Sequence, residues 1–248
     1  MATIISRLTL LLCCAMVINS GIAADSAEQS PFIKAYRTVY QADYDFFLPL
    51  QGAVIRELSQ QENGQWLLSH RADTSLASMK ESSLFEWDNN QPKPLQYHYQ
   101  QKSIAKDKQH QLEFNWREQQ VNHTTNKPPG SFHLPKGTLD KLTYQLKMRH
   151  QLQLGQPLST YSVADKRKLK DYRFNIVGSI ELDTPMGKLN TLKIKRDRGT
   201  DSNRETVFWL AKDWDYLLVK IEQKENDKSH QITMVEGVLD GKTVRGHE

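Results

Sequence analysis

Residues 137–155, GTLDKLTYQLKMRHQLQLG, decide the fold, because they contain the one convincing helix in a chain that otherwise reads as strands and turns. Thr138 is the predicted N-cap, and Asp140 falls in the first turn, where a carboxylate suits the positive end of the helix dipole. Gly155, followed closely by Pro157, predicts the end of the helix. We therefore expect β structure arranged around this single helix.

The predicted helix carries two apolar stripes on roughly opposite sides. At about 100° per residue, one stripe contains Leu139, Leu142 and Leu146, and the other contains Tyr144, Met148 and Leu152. Two stripes indicate a helix held from two sides, for example by a curved sheet and a covering segment. Such a helix either completes the core or lines a ligand cavity. For the second alternative, the candidate ligand-binding residues are Tyr144, Met148, Leu152, Trp209 and Trp214.

The N-terminus predicts a secretory signal peptide. One early cation, Arg7, precedes an apolar run over residues 8–18, and small residues follow up to Asp25. The run is too short for a comfortable membrane span. We therefore expect cleavage after Ala23 or Ala24, export to the periplasm of a Gram-negative source, and no transmembrane anchor in the mature protein.

Cysteine content and charge exclude several classes of function. Cys13 and Cys14 are the only cysteines in 248 residues, and both lie in the predicted signal peptide. Cleavage would leave no disulfide, no thiol nucleophile and no thiolate metal site. The formal net charge is +4, and loss of Arg7 leaves 32 basic against 29 acidic residues, a net charge of +3. Such a protein attracts anionic lipid head groups or cell-wall polymers weakly, and nucleic acid is not an expected partner.

Short segments of alternating apolar and polar residues predict β-strands at hairpin spacing. They cover residues 38–46, 54–60, 66–72, 76–87, 95–99, 112–117, 121–125, 159–163, 171–176, 179–184, 187–196, 205–210, 217–223 and 231–239. The predicted fold class is mainly β: an antiparallel curved sheet that forms a sandwich or an incomplete barrel, with one inserted amphipathic helix. Imperfect alternation in residues 76–87 indicates a bulge.

The predicted organisation has four parts. A signal peptide occupies residues 1–24 and a flexible lead-in occupies residues 25–34. A single β-rich domain covers residues 35–239, since no shift in composition marks a boundary within it. Residues 240–248 are polar and predict a frayed tail.

A series of short motifs carries a family resemblance. They include NGQW at residues 63–66, ESSLF at 81–85, PLQY at 94–97, GTLDKLT at 137–143, ELDTPMG at 181–187 and FWLAKD at 208–213. In this order, the motifs resemble a bacterial family of exported proteins that is catalogued as a domain of unknown function, DUF3108, over about residues 35–237. The resemblance implies an exported β-rich protein, and it transfers no catalytic residues.

Motifs for metal, cofactor or nucleophile chemistry are missing from the sequence. The eight histidines show no metal-ligand spacing, and there is no HExxH, no GxSxG elbow and no Gly-rich phosphate loop. We therefore predict no metal and no cofactor.

Three polar segments leave alternatives open. Asp213 and Asp215 flank Trp214, and they either form a carbohydrate site with paired carboxylates or bond backbone amides in a turn. Residues 166–170 and 193–198 are basic runs, which either meet phosphates of anionic lipid or polysaccharide or form solvated strand faces.

Three hypotheses for function follow. The first is a non-catalytic periplasmic protein whose curved sheet and helix bind an apolar or anionic, lipid-like component of the envelope. The second is an enzyme that acts on an envelope polysaccharide through Asp213 or Asp215. The third is a scaffold that binds an envelope protein partner along an exposed strand edge. The absence of catalytic motifs favours the first hypothesis over the second.

Overall fold

A computed structural model describes residues 33–44, 50–74, 77–104, 106–200, 202–226 and 228–248. The predicted signal peptide, residues 25–32 of the predicted lead-in and the last two residues of the first predicted strand, 45 and 46, lie outside these residues.

Strands dominate the fold, and they pair in one antiparallel sheet of fifteen strands. These are β1 (Tyr36–Tyr44), β2 (Leu50–Gln60), β3 (Trp66–Asp73), β4 (Ala77–Asp88), β5 (Gln91–Ser103), β6 (Lys108–Asn115), β7 (Gln120–Thr125), β8 (Gly130–His133), β9 (Tyr161–Asp165), β10 (Lys168–Thr184), β11 (Gly187–Asp197), β12 (Arg204–Ala211), β13 (Leu217–Glu225), β14 (Lys228–Leu239) and β15 (Lys242–Thr243). The helix α1 (Thr143–Gln153) lies between β8 and β9, and a short 3-10 turn, Lys212–Trp214, joins β12 to β13.

The sheet is an open, barrel-like surface. Neighbours in sequence pair from β1 to β8 and from β9 to β14, and β1 joins the two runs by pairing with β14. Strands β8 and β9 stand at the two ends of this order. Register shifts in β1, β4, β10 and β12 act as bulges, which bend strands and increase their twist. The predicted fold class is therefore confirmed, in its incomplete-barrel form.

Alternation explains most strands. In β6, Leu112 and Phe114 point to the buried inner face, while Glu113 between them is exposed. The bulge predicted in the fourth strand is found in β4, between Leu84 and Phe85.

Two predicted strand assignments need correction. Residues 171–176 and 179–184 belong to one strand, β10, because the bulge between Ile176 and Gly178 bends the strand without ending it. Residues 130–133, to which the sequence pattern assigns no strand, form the edge strand β8. This strand pairs with β7 at the end of the described sheet and so needs no apolar alternation.

The helix begins later than its sequence predicts, at Thr143 rather than just after Thr138. The preceding residues are extended, and Leu139 exchanges backbone hydrogen bonds with Ser162 and Ala164 beside β9. Thr138 donates its hydroxyl to the carbonyl of Pro135 and does not cap the helix. Gly155, in the left-handed region at φ +65°, follows the last turn as predicted.

Both apolar stripes of the α1 segment are buried in the hydrophobic core. Leu142 and Leu146 are 1% and 4% exposed, and Met148 and Leu152 are 1% and 7% exposed. Tyr144 packs among aromatic side chains of β9 and β10, with ring centroids 5.2 Å from Tyr172 and 5.6 Å from Phe174 in a stacked pair. The helix therefore fills one part of the concave face of the sheet.

Residues 240–248, predicted to be a frayed tail, are held against the sheet. Val244 is 1% exposed and donates its amide to the carbonyl of Gly237, and Gly246 donates to Met186. A side chain on Gly246 would come within 2.4 Å of the Lys188 carbonyl oxygen, so the close crossing requires glycine. The tail is mostly polar in sequence, but one buried apolar residue and several backbone hydrogen bonds hold it in place.

Candidate anion-binding site

A cavity of about 500 Å³ remains on the concave face, beside the start of α1. Alternation along β11 and β12 builds one of its walls. In β11, Ile194 is buried in the core, and Arg196 and Arg198 continue the same face to the end of the strand and just beyond it. Across the following turn, Arg204 and Thr206 line the same cavity before β12 enters the core.

Three half-buried arginines are thus gathered around the turn that joins β11 to β12. Arg196 lies flat over the ring of Tyr172, with Cζ 3.4 Å from the ring centroid. Arg198 donates Nη2 to the hydroxyl of Thr206 at 3.2 Å. Arg204 donates Nη2 to Oε1 of Gln223 at 2.6 Å.

Little negative charge balances these arginines. Among the described residues, one of the three arginines has a carboxylate within ion-pair distance: Arg204 Nε lies 3.7 Å from Glu225. The Nε atoms of all three are buried without a hydrogen-bond acceptor within the described part of the chain. Burial, followed by the charges of Arg196 and Arg204, lowers the pKa of Arg198. The neighbouring arginines thus add like-charge repulsion to the cost of burying Arg198.

The opposite wall contains one carboxylate, Glu81 on β4, in a hydrogen-bonded group. Tyr97 on β5 donates its hydroxyl to Glu81, and Lys141, before α1, lies 3.9 Å from it. His70 also approaches Glu81 at 3.9 Å. Burial, with the charges of Arg56 and Lys141, holds the pKa of His70 well below its ordinary value, so this imidazole is neutral at pH 7.

The second carboxylate of the cavity, Asp165 at the end of β9, is already neutralised. Lys170 donates to it at 2.5 Å. Burial on its own would raise the pKa of Asp165, but the bond from Lys170 and the charge of Lys141 lower it overall. Because the lining also includes Lys166, basic groups outnumber acidic ones, and the cavity is suited to an anion.

A buried arginine behind the cavity adds to the positive potential. Arg56 on β2 is 2% exposed and donates Nε to the hydroxyl of Tyr36 at 2.8 Å and Nη1 to Oε1 of Gln145 at 2.6 Å. Both acceptors are neutral. Gln145 lies on α1 and lines the cavity, so it connects this cation to the site.

The five ligand-binding candidates from the sequence lie in four different places. Tyr144 lines the cavity. Met148 and Leu152 are packed in the core, where Met148 borders a gap of about 10 Å³, the volume of at most one water. Trp209 alternates with the buried Phe208 and therefore lies on the other face of β12, between the ammonium groups of two lysines.

The turn between β12 and β13 holds the remaining candidates. Trp214 donates its indole N–H to the carbonyl of Arg245 in the tail. Asp213 accepts a hydrogen bond from Asn190, whereas Asp215 pairs with Lys34 at 2.8 Å. The two carboxylates therefore have separate partners, and neither lines the 500 Å³ cavity. Within the described residues, no three His, Cys, Asp or Glu side chains form a group that could hold a metal ion.

The sequence contained a usable signal for the arginines. In the basic run of residues 193–198, alternate positions are Ile194, Arg196 and Arg198. A buried isoleucine on the same face places the two arginines toward the interior, while Lys193 and Lys195 face outward. The total charge of the run does not indicate which of its basic side chains face inward and which face outward.

These features define a class: an open β-barrel-like protein with an inserted helix and a basic interior cavity. The chain belongs to the family described as protein of unknown function (DUF3108), whose model matches residues 39–235. This match confirms the resemblance drawn from the sequence motifs. No curated protein matches the chain.

Among solved structures, one supports the barrel-like fold. A β-barrel-like protein with a domain of unknown function (DUF1849) from Brucella abortus is 11% identical with a TM-score of 0.57, covering 84% of this chain and 98% of its own. Two others are less similar. A candidate lipoprotein from Parabacteroides distasonis is 9% identical with a TM-score of 0.34, covering 84% and 97%. A candidate outer membrane lipoprotein-sorting protein domain from Vibrio parahaemolyticus is 10% identical with a TM-score of 0.24, covering 85% and 86%.

The described part of the chain contains no helix with the length and apolar composition that crossing a bilayer requires.

Proposed function

We propose that this protein is an exported, non-catalytic binding protein of the bacterial envelope, and that its interior cavity holds an anionic ligand through phosphate or carboxylate groups. The observation that carries the proposal is the convergence of Arg196, Arg198 and Arg204 on one cavity of about 500 Å³. A planar guanidinium matches the geometry of phosphate and carboxylate oxygens, and bonds between ionised partners are about twice as strong as neutral ones.

The charge balance supports an anion over an apolar ligand. Burial, followed by the charges of Arg196 and Arg204, lowers the pKa of Arg198, so the charged form of this side chain costs free energy in the empty site. A bound anion would offset this cost, because it would pair with the three positive charges. An apolar ligand would instead need the apolar stripes of α1, and Met148 and Leu152 are already packed in the core.

The location in the envelope rests on the leader sequence. Residues 1–24 combine an early cation, a short apolar run and small residues at a cleavage position. An enzyme acting on polysaccharide is less well supported, because Asp213 and Asp215 bond separate partners in a turn. Glycoside hydrolysis requires two carboxyl groups that flank one bond of the substrate.

Titration calorimetry on the processed protein would test the proposal, with inorganic pyrophosphate and a short-chain phosphatidic acid as probes. We expect Arg198→Gln to weaken binding of either probe by at least about tenfold, since one charge-assisted bond contributes on the order of 1.5–3 kcal/mol. The matched control is Arg173→Gln, because Arg173 is exposed on the neighbouring strand β10. This variant should bind both probes with the affinity of the wild type.

A stability measurement makes the result specific. Arg198→Gln should leave the ligand-free protein at least as stable to urea as the wild type, because the substitution relieves like-charge repulsion. Failure of both probes to bind the wild type, or equal affinities for Arg198→Gln and Arg173→Gln, would contradict the proposed function.

A further inference from the structure

We call the 500 Å³ cavity lined by Arg196, Arg198 and Arg204 the arginine cavity. A second basic feature lies beside it, at the same end of the sheet. The turns β5–β6, β7–β8 and β9–β10 surround a cleft of about 570 Å³. Its exposed lysines come from all three turns: Lys106 and Lys108, Lys127, and Lys166 and Lys168. We call these five residues the lysine rim.

The cleft inside the lysine rim has one carboxylate among its described lining residues, Asp165. This carboxylate is 8% exposed and already accepts a bond from Lys170 at 2.5 Å. The rim therefore presents positive charge that its own cleft does not balance. Of the five rim lysines, Lys166 and Lys168 belong to a basic run of the sequence, and folding adds the lysines of two distant turns to them.

An exposed apolar side chain stands next to the rim. Ile104, in the β5–β6 turn, is 83% exposed, the highest value among the exposed large hydrophobic residues of the described chain. Hydrogen bonds fix the described residues on either side of it: Ser103 exchanges hydrogen bonds with Lys106, and Asn126 of the β7–β8 turn donates to the carbonyl of Asp107. Ile104 is thus exposed close in sequence to two lysines of the rim, Lys106 and Lys108.

We infer that the lysine rim docks on an anionic phospholipid bilayer, with Ile104 inserted at the level of the head groups. Basic side chains near an anionic membrane strengthen binding by about fivefold each. Charge alone gives weak and salt-sensitive attachment, and a second, apolar contact is what makes interfacial binding firm. The rim and Ile104 supply both contacts from one end of the sheet.

This inference goes beyond the proposed function, because docking needs no ligand in the arginine cavity. The two sites are nevertheless adjacent. Lys141, Asp165, Lys166 and Lys170 line both the cleft and the arginine cavity. A docked rim would therefore bring the arginine cavity close to the phosphates of the bilayer.

Cosedimentation of the processed protein with phosphatidylcholine vesicles, with and without phosphatidylglycerol, tests the docking. The wild type should bind the vesicles that contain phosphatidylglycerol and should not bind phosphatidylcholine alone. The double substitution Lys127→Gln with Lys168→Gln changes two exposed lysines that line the cleft but not the arginine cavity. It should weaken binding by about 25-fold, since each lysine contributes about fivefold. Ile104→Ser should weaken it by about tenfold or more, through loss of the inserted side chain.

Two control variants make the vesicle assay specific for the lysine rim. Val177→Ser removes a side chain that is 58% exposed further along β10, away from the rim, and should leave vesicle binding unchanged. Lys242→Gln removes an exposed lysine of β15 that lines neither the cleft nor the arginine cavity, and it should also leave vesicle binding unchanged. The double variant Lys127→Gln with Lys168→Gln should bind pyrophosphate as the wild type does, so that a failure of the proposed ligand site and a failure of docking give different results.

Three outcomes would overturn the inference. One is wild-type binding that does not depend on phosphatidylglycerol. Another is Ile104→Ser binding as the wild type does. The third is complete competition by inorganic polyphosphate together with an unaffected Ile104→Ser, which would assign the rim to a dissolved polyanion instead of a membrane surface.

Discussion

At the scale of single residues, Asp140 shows how a buried carboxylate organises the start of the helix. It is fully buried, and one of its oxygens accepts the backbone amides of Leu142 and Thr143, both at 2.8 Å. Its other oxygen accepts the hydroxyl of Ser83 on β4 at 2.5 Å. Burial raises the pKa of Asp140, and these donors oppose the rise. One side chain therefore satisfies the first turn of α1 and ties it to the sheet.

Replacement of Asp140 by alanine should destabilise the protein by about 3 kcal/mol, because it removes a helix cap and leaves buried donors without an acceptor. Urea denaturation followed by circular dichroism measures this change. Thr138→Ala is the matched control, since Thr138 is the N-cap that the sequence predicts, and it should cost about 1 kcal/mol or less. A larger cost for Thr138→Ala than for Asp140→Ala would show that the assignment of the cap is mistaken.

At the scale of elements, α1 acts as a filling for the concave face of an open sheet. Its two stripes are buried on opposite sides, and aromatic rings from β9 and β10 surround Tyr144. The arginine cavity begins where this apolar filling ends, beside the first turn of the helix. The helix thus separates a packed core from a charged cavity. Residues of its first turn line the cavity, and residues further along it pack in the core.

Truncation of Met148 tests this division. Met148→Ala should cost about 3 kcal/mol of stability, because a 1% exposed side chain leaves a void in the core. The affinity for the anionic probes should stay within about twofold of the wild type, since Met148 does not line the arginine cavity.

The matched control for Met148 is Leu154→Ala. Leu154 is a large apolar residue just past the end of α1 that is 42% exposed, and its truncation should cost less than about 1 kcal/mol. Equal costs for the two substitutions, measured by urea denaturation, would be inconsistent with a core position for Met148. A large loss of probe affinity in Met148→Ala would show that Met148 contributes to ligand binding.

At the scale of the whole molecule, contacts between the two ends of the chain complete the sheet. β1 pairs with β14, and the tail after β14 reaches across to the turn before β11 through bonds to Met186 and Lys188. Trp214, in the turn after β12, donates to the tail carbonyl of Arg245. The last residues therefore tie the β10–β11 turn and the β12–β13 turn to β14.

Removal of residues 242–248 should lower the free energy of unfolding by about 3 kcal/mol. Most of this loss comes from Val244, which is 1% exposed and whose burial contributes roughly 1.5–3 kcal/mol. The rest comes from the backbone bonds to β11 and from exposure of Trp214, whose fluorescence should report the change. Lys242→Ala, on the exposed side of β15, is the control and should be within about 0.5 kcal/mol of the wild type. Identical stabilities for the truncated and complete proteins would show that the tail is frayed after all.

Prediction from sequence succeeded where local pattern decides the structure. Alternation located most strands, as in β6, and even the bulge in β4 left a trace in the pattern of residues 76–87. It failed where a residue's role depends on its partners in space. Edge strand β8 has no apolar alternation. Thr138 is a residue type that commonly caps helices, but Asp140 is the residue that accepts the backbone hydrogen bonds at the start of α1.

The candidate site shows the same limit. Arg196 and Arg198 could have been assigned to the inner face from the alternation with Ile194, because a strand has a period of two residues. Their meeting with Arg204, Lys141 and Glu81 in one cavity could not, since these residues belong to separate elements whose distances depend on the curvature of the sheet.

By itself, the sequence of this protein determined its β class, its single two-striped helix, its family and the faces of most strands, because hydrophobic periodicity and turn residues act over a few neighbouring positions. Only the tertiary structure decided that the helix fills one part of the concave face, that the tail is anchored, and that arginines and lysines from distant turns gather at one open end. Burial and charge are properties of the assembled surface, and a chain acquires them when its strands close around the helix.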